Sequence, residues 1–223
     1  MPLSRHAPLT PWYREALRAN VDKALLNPEL TSKEKTELLS KNQHDRLYVL
    51  KRLQKHTLDY LFKKKPNFYT SVYHYDWWAF PMYVPKDWDW KTRNYNASIT
   101  QIEAKKLWQD AQFRETYLQC VSMYIAALET HGWNDYPVRY ARMLQSLSLF
   151  VKMVNQEHLG DDTVDLLCQQ AQRALEYVTL NRLRVTLSND SLFMHGYAKL
   201  ELELRKHNSL KCDTVLRGGG SGL

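Results

Sequence analysis

Apolar side chains recur every three or four residues along most of this chain, the spacing that gathers them on one face of an α-helix. Thr10-Pro11 reads as an N-cap followed by proline at the first helical position, opening a helix that runs to about Leu26 and stops at Asn27-Pro28. "TSKE", from Thr31, is a capping box for a short helix carrying Leu38 and Leu39. A longer helix is predicted over 45–64, with Leu47, Leu50, Leu53, Leu58, Leu61 and Phe62 on its apolar face. Lys51, Arg52, Lys55 and His56 fall on the opposite face, and Pro66 ends the run. "TQIE", from Thr100, is a second capping box; the helical pattern it opens reaches Leu128, with a break near Asp110 and a stop at Gly132. Pro137 starts another helix through Val154, and Asp161 or Asp162 caps one that ends near Leu180.

The tail follows a different rhythm. "RLRVTL" and "KLELELR" both alternate with period two around a turn-like "SNDS", which fits a C-terminal β-hairpin; Ser191 capping a final helix fits as well. The pattern therefore predicts a mainly α, single-domain fold of six to seven helices with an aromatic-rich connecting loop. Its expected parts are an N-terminal amphipathic arm (1–30), a helical core (31–180), a C-terminal extension (181–217) and a glycine-rich, linker-like tail (218–223).

Composition narrows the function classes. Four of the seven glycines lie in the tail, leaving Gly132, Gly160 and Gly196 for the body, so the glycine-rich phosphate loops of common nucleotide-binding folds have no material here. A net charge of +7 suggests an acidic partner: anionic lipid headgroups, another protein's acidic surface or, less favoured, nucleic acid. Cys120, Cys168 and Cys212 are odd in number and widely spaced, which fits a reducing interior better than a disulfide framework. No apolar run is long enough for a transmembrane helix. The N-terminus, with Arg5, Arg14 and Arg18 and a first acid only at Glu15, resembles an organelle-targeting segment and equally an ordinary amphipathic helix.

The chemistry-bearing candidates concentrate in residues 67–95, which hold eleven aromatic side chains, four of them tryptophan. His74-x-Asp76 has the form of a base with an orienting carboxylate, but no second His/Asp cluster supplies the further ligands a metal needs. Asp87 and Asp89 alternate with Trp88 and Trp90, as in a turn with its acids outward. Trp78, Trp88, Trp90 and Tyr95 are candidates for docking a protein partner, because aromatic rings with a polar handle dominate interface energetics. Lys63, Lys64 and Lys65 are candidates for anion or lipid binding, or simply cations offsetting a helix dipole. No cofactor, metal site or catalytic set is expected.

"HYDWWAFPM" is similar to the "HWMWFIFPQ"-type signature of a small bacterial family of unknown function that carries a calpastatin-like label. "EAKKLWQDAQFRETYLQC" and "RMLQSLSLF" resemble two further segments of that family. The resemblance would make His74, Trp77, Phe80, Pro81, Arg142 and Ser146 shared positions, with His74, Trp77, Arg142 and Ser146 lining a pocket. Met82 stands where the family has glutamine, and Arg142 where it has lysine. The conserved region of the opioid growth factor receptor has a similar aromatic-Phe-Pro segment. In its basic, aromatic-rich and motif-free style the chain also looks like a supernumerary subunit of a mitochondrial energy-converting complex. The expectation is a non-catalytic accessory subunit of such an assembly (an ATP synthase or a respiratory complex) on the matrix side of the inner membrane. The alternatives are a small-molecule-binding domain or hydrolase, an RNA-associated subunit, and a cytoplasmic setting.

Overall fold

A computed structural model describes residues 10–65, 67–68, 75–83, 98–132 and 137–218, with the backbone alone at 137, 184, 185 and 211–218. The helices are α1 (Pro11–Ala24), α2 (Ser32–Lys41), α3 (Arg46–Thr57), α4 (Asp76–Ala79), α5 (Gln101–Trp108), α6 (Ala111–His131), α7 (Pro137–Gln156), α8 (Asp162–Leu180), α9 (Leu183–Thr186) and α10 (Ser191–Gly218). There is no strand among the described residues.

Local chemistry sets most boundaries. Both capping boxes form: the Thr31 and Thr100 hydroxyls each accept from the backbone N–H three residues on, and Glu34 and Glu103 reach back to the cap N–H. The break near Asp110 is real, and its carboxylate accepts from the Phe113 N–H at 2.9 Å to open α6. Gly132 ends that helix at φ +79°, a conformation glycine adopts at no steric cost. Asp161 caps α8 through the Val164 N–H at 2.9 Å. Past Thr57, α3 continues into a π turn, Leu58–Phe62, closed by a Lys63 N–H to Leu58 carbonyl bond of 3.0 Å.

The C-terminal hairpin does not form. Residues 191–218 are one helix, opened by Asp190 rather than Ser191, with the Asp190 carboxylate accepting from the Phe193 N–H at 2.8 Å. The alternation Leu200-Leu202-Leu204 is incidental. Phe193, Tyr197, Leu200 and Leu204 carry the helical period and are buried, whereas Leu202 is exposed. Nor is 181–217 an extension set apart from the core, because α10 makes the most extensive interhelical contact in the molecule, along α7. At Gly196 an added Cβ would meet Gln145 and Leu144 side-chain atoms at 3.2 Å, so the missing side chain sets how closely the two helices approach.

Helix α7 is the central post. Its Tyr140, Met143, Leu144, Leu147, Phe150, Val151 and Val154 are buried among α4, α5, α8 and α10, with Tyr117 and Tyr124 of α6 against the Phe150 and Tyr140 rings. One hydrophobic cluster runs from Val21 on α1 to Leu204 on α10. The basic face expected on α3 is largely consumed inside the fold. Arg46 pairs with Glu103 at 2.6 Å, Lys51 with Asp110, Arg52 with Asp22 at 2.7 Å, and Lys55 with Asp59 at 2.5 Å. His56, expected on that polar face, is 5% exposed, covered by the α1–α2 connection.

Candidate functional site

The segment 76–82 is a plug set into the side of α7. Side chains from two helices and one backbone N–H satisfy three of its carbonyls, as buried polar groups require. Gln54 donates to the Ala79 carbonyl at 3.1 Å, and the Ser146 hydroxyl donates to the Pro81 carbonyl at 2.7 Å. With the serine proton committed there, Tyr117 is the donor in its 3.0 Å contact with Ser146. The Ile99 N–H closes the end of the plug on the Met82 carbonyl at 2.9 Å.

At the head of the plug lies Asp76, only 1% exposed. Arg139 and Arg142, one turn apart on α7, both face it: Arg139 Nε is 3.9 Å from one carboxylate oxygen, and Arg142 pairs with the other. The Arg142 guanidinium lies 3.5 Å over the Trp77 ring, and that of Arg139 lies 4.9 Å over Tyr75. Tyr75 in turn joins an aromatic cluster with Phe62, Phe68, Tyr124 and Phe80, beginning with a stacked Phe62–Phe68 pair at 4.1 Å. Burial drives the Tyr75 and Tyr124 phenols well above their ordinary range, so both stay neutral. A buried carboxylate set between two guanidiniums, one of them paired with it directly, anchors the plug to α7.

The sequence candidates therefore divide. Trp77 and Arg142 do converge, in direct contact with each other. Ser146 sits one turn further along α7 and holds Pro81 instead of lining a cavity with them. Trp78, expected at a docking surface, is 1% exposed and belongs to the core, because the single-turn helix α4 turns both its tryptophans inward. His74, Asp87, Trp88, Asp89, Trp90 and Tyr95 lie outside the described residues. Lys63, Lys64 and Lys65 are exposed at the end of the π turn. Lys63 is 3.4 Å from Asp59, Lys64 lies 4.7 Å over the Tyr60 ring, and Lys65 is 3.9 Å from Glu29. Cys120 is buried, which pushes its thiol far above the usual range and leaves it inert, while Cys168 is half-buried.

Sequence reasoning missed Arg139. Its signal was available: two arginines at i and i+3, with Arg139 inside the run of residues that α7 buries. Larger hollows lie elsewhere, as open grooves of about 490 Å³ between α8 and α10 and about 560 Å³ between α6 and α8. Among the described residues no three His, Cys, Asp or Glu side chains are grouped to hold a metal ion, and no helix is long and apolar enough to cross a membrane. No protein-family model matches the chain, and neither the curated proteins nor the solved structures give a match.

Proposed function

We propose that the protein is a non-catalytic accessory subunit, a helical scaffold that docks on a larger assembly. The observation that carries this reading is the state of α1. Of its fourteen residues only Val21 is buried. Trp12, 70% exposed, packs edge-on against the half-exposed Tyr13 at 5.8 Å, and Leu26 beyond the helix is 72% exposed. A paired Trp and Tyr in solvent, beside Arg14, is the composition of an interface hot spot. At the other end of the chemistry, Arg142 pairs with Asp76 across the Trp77 ring and Ser146 holds the Pro81 carbonyl, which favours a scaffold over a pocket. The assembly we favour is a mitochondrial, membrane-associated energy-converting complex, an ATP synthase or a respiratory complex. The basic charge, the arginine-bearing N-terminus and the three exposed lysines at 63–65 suit the surface of an anionic membrane.

The test is native electrophoresis of detergent-solubilised membranes from cells expressing the tagged full chain. The wild type is expected to migrate with a complex many times its own mass, and the Trp12→Ala/Tyr13→Ala variant to shift to the free fraction. A wild-type chain that runs free, with the same profile as the variant, overturns the proposal.

A further inference from the structure

One place in the described fold buries two basic groups without an ion pair. Lys35, on α2, is 9% exposed and makes no ion pair or side-chain hydrogen bond among the described residues. His56 of α3 lines the same small cavity, of about 20 Å³, whose floor is Leu30 and Leu61 and whose rim carries Glu29, Tyr60 and Lys65. The His56 tautomer follows from its partner. Nε2 lies 2.8 Å from the Asn27 carbonyl oxygen, which can only accept, so Nε2 carries the proton. Nδ1 is then a lone pair, and it is buried with no donor within reach. Burial also drives both groups toward their neutral forms. The histidine is lowered by desolvation and by Lys35, against the Asn27 bond and Asp59; the lysine is brought down to about 8 by desolvation alone. A neutral amine is a nucleophile, and an adjacent unoccupied lone pair is a base for the proton it loses.

We propose that Lys35 is an acceptor for carbon dioxide and similarly small, linear electrophiles, forming a carbamate with His56 as the proton acceptor. The cavity is sized for a molecule little larger than a water, which excludes bulkier acyl donors. In the step, the Lys35 nitrogen pair forms the N–C bond, one C=O π pair moves onto oxygen, and the amine proton passes to His56 Nδ1. The imidazolium so formed lines the same cavity, so the new anion is created together with its counter-ion. Nothing is oxidised or reduced, and no leaving group departs.

Cyanate, which adds to neutral amines irreversibly, is the probe. At pH 7.5 an amine with a pKa of about 8 is about one quarter neutral, against about one in a thousand for an ordinary lysine. Peptide mapping of the folded full chain after brief cyanate treatment is expected to show Lys35 carbamylated at least about tenfold faster than the exposed Lys33 of the same helix. The Lys35 rate should fall above pH 8, where its free amine no longer increases while the reactive cyanic acid keeps decreasing, whereas the Lys33 rate should stay level to about pH 10. With ¹³C-bicarbonate, the wild type should give a carbamate carbon signal that the Lys35→Arg variant lacks, and His56→Ala should slow Lys35 labelling at least about threefold relative to Lys33. If His56→Ala does not fold, the wild-type pH profile decides the matter alone. Labelling of Lys35 slower than that of Lys33, or no carbamate signal, overturns the proposal; a cavity that merely holds a bridging water gives that result.

Discussion

The plug at Asp76 and the cavity at Lys35 both bury charged side chains, and they treat them in opposite ways. Asp76 is enclosed by two arginines, each spread over an aromatic ring, and the Ala79, Pro81 and Met82 carbonyls behind it have donors. Lys35 and His56 are also buried, and among the described residues neither forms an ion pair with an acid; Glu29 stands only at the rim of their cavity. Burial by itself is therefore neutral information. What separates an anchor from a reactive site is whether the buried group's partner is already in the chain.

That contrast breaks most sharply at Asp76. Asp76→Ala strands two guanidiniums in the core and is expected to cost about 3–5 kcal/mol in denaturant unfolding. A loss below about 1 kcal/mol would mean that water already reaches the clamp. Lys35→Met is the mirror experiment, because an apolar side chain of similar length removes a burial cost. The sign follows from the lowered lysine. Its amine binds a proton more weakly folded, at about 8, than unfolded, at about 10.4, so the wild-type chain gains stability as pH rises between those values. Lys35→Met should be the more stable protein below pH 8, by up to about 3 kcal/mol, with the advantage shrinking toward pH 10.5. Parallel stability curves for the two proteins would remove Lys35 from the argument.

Smaller effects sharpen the comparison. Ser146→Ala leaves the Pro81 carbonyl without its donor and Tyr117 without its acceptor, a loss of about 1–3 kcal/mol with no pH dependence near neutrality. Thr31→Ala opens the capping box of the helix that carries Lys35 and should cost about 1 kcal/mol. It should loosen the cavity, seen as faster amide exchange across α2, and leave exchange around the plug unchanged.

The legible parts of this fold were those encoded within a few residues. Thr31/Glu34, Thr100/Glu103, Asp110 and Gly132 each act on their own helix end, and each end was read correctly. Of the two readings open for the tail, the helix is the one that forms, because Phe193, Tyr197, Leu200 and Leu204 bury one helical face while the three-leucine alternation leaves Leu202 exposed. Helix α10 is decided by what α7 offers it, and a local window does not contain α7. The same limit hid the site chemistry. Asp76 was paired by sequence with its neighbour His74, whereas its partners stand more than sixty residues away. His56 sat on the polar side of its own helix, and only the fold of the α1–α2 connection over it made it a buried base.

The π turn at the end of α3 has a consequence for how this chain tolerates change in length. A bond from residue 63 back to residue 58 spans one residue more than an α-helical turn, so the turn stores a single surplus residue. Deleting one residue there would restore ordinary helix and leave α3 and its core contacts in register. The three lysines beyond would stay close to their present positions, because the wide turn already absorbs the extra residue. One-residue gaps in distant relatives are therefore expected to fall at 58–62, sparing both the buried face of the helix and its basic end.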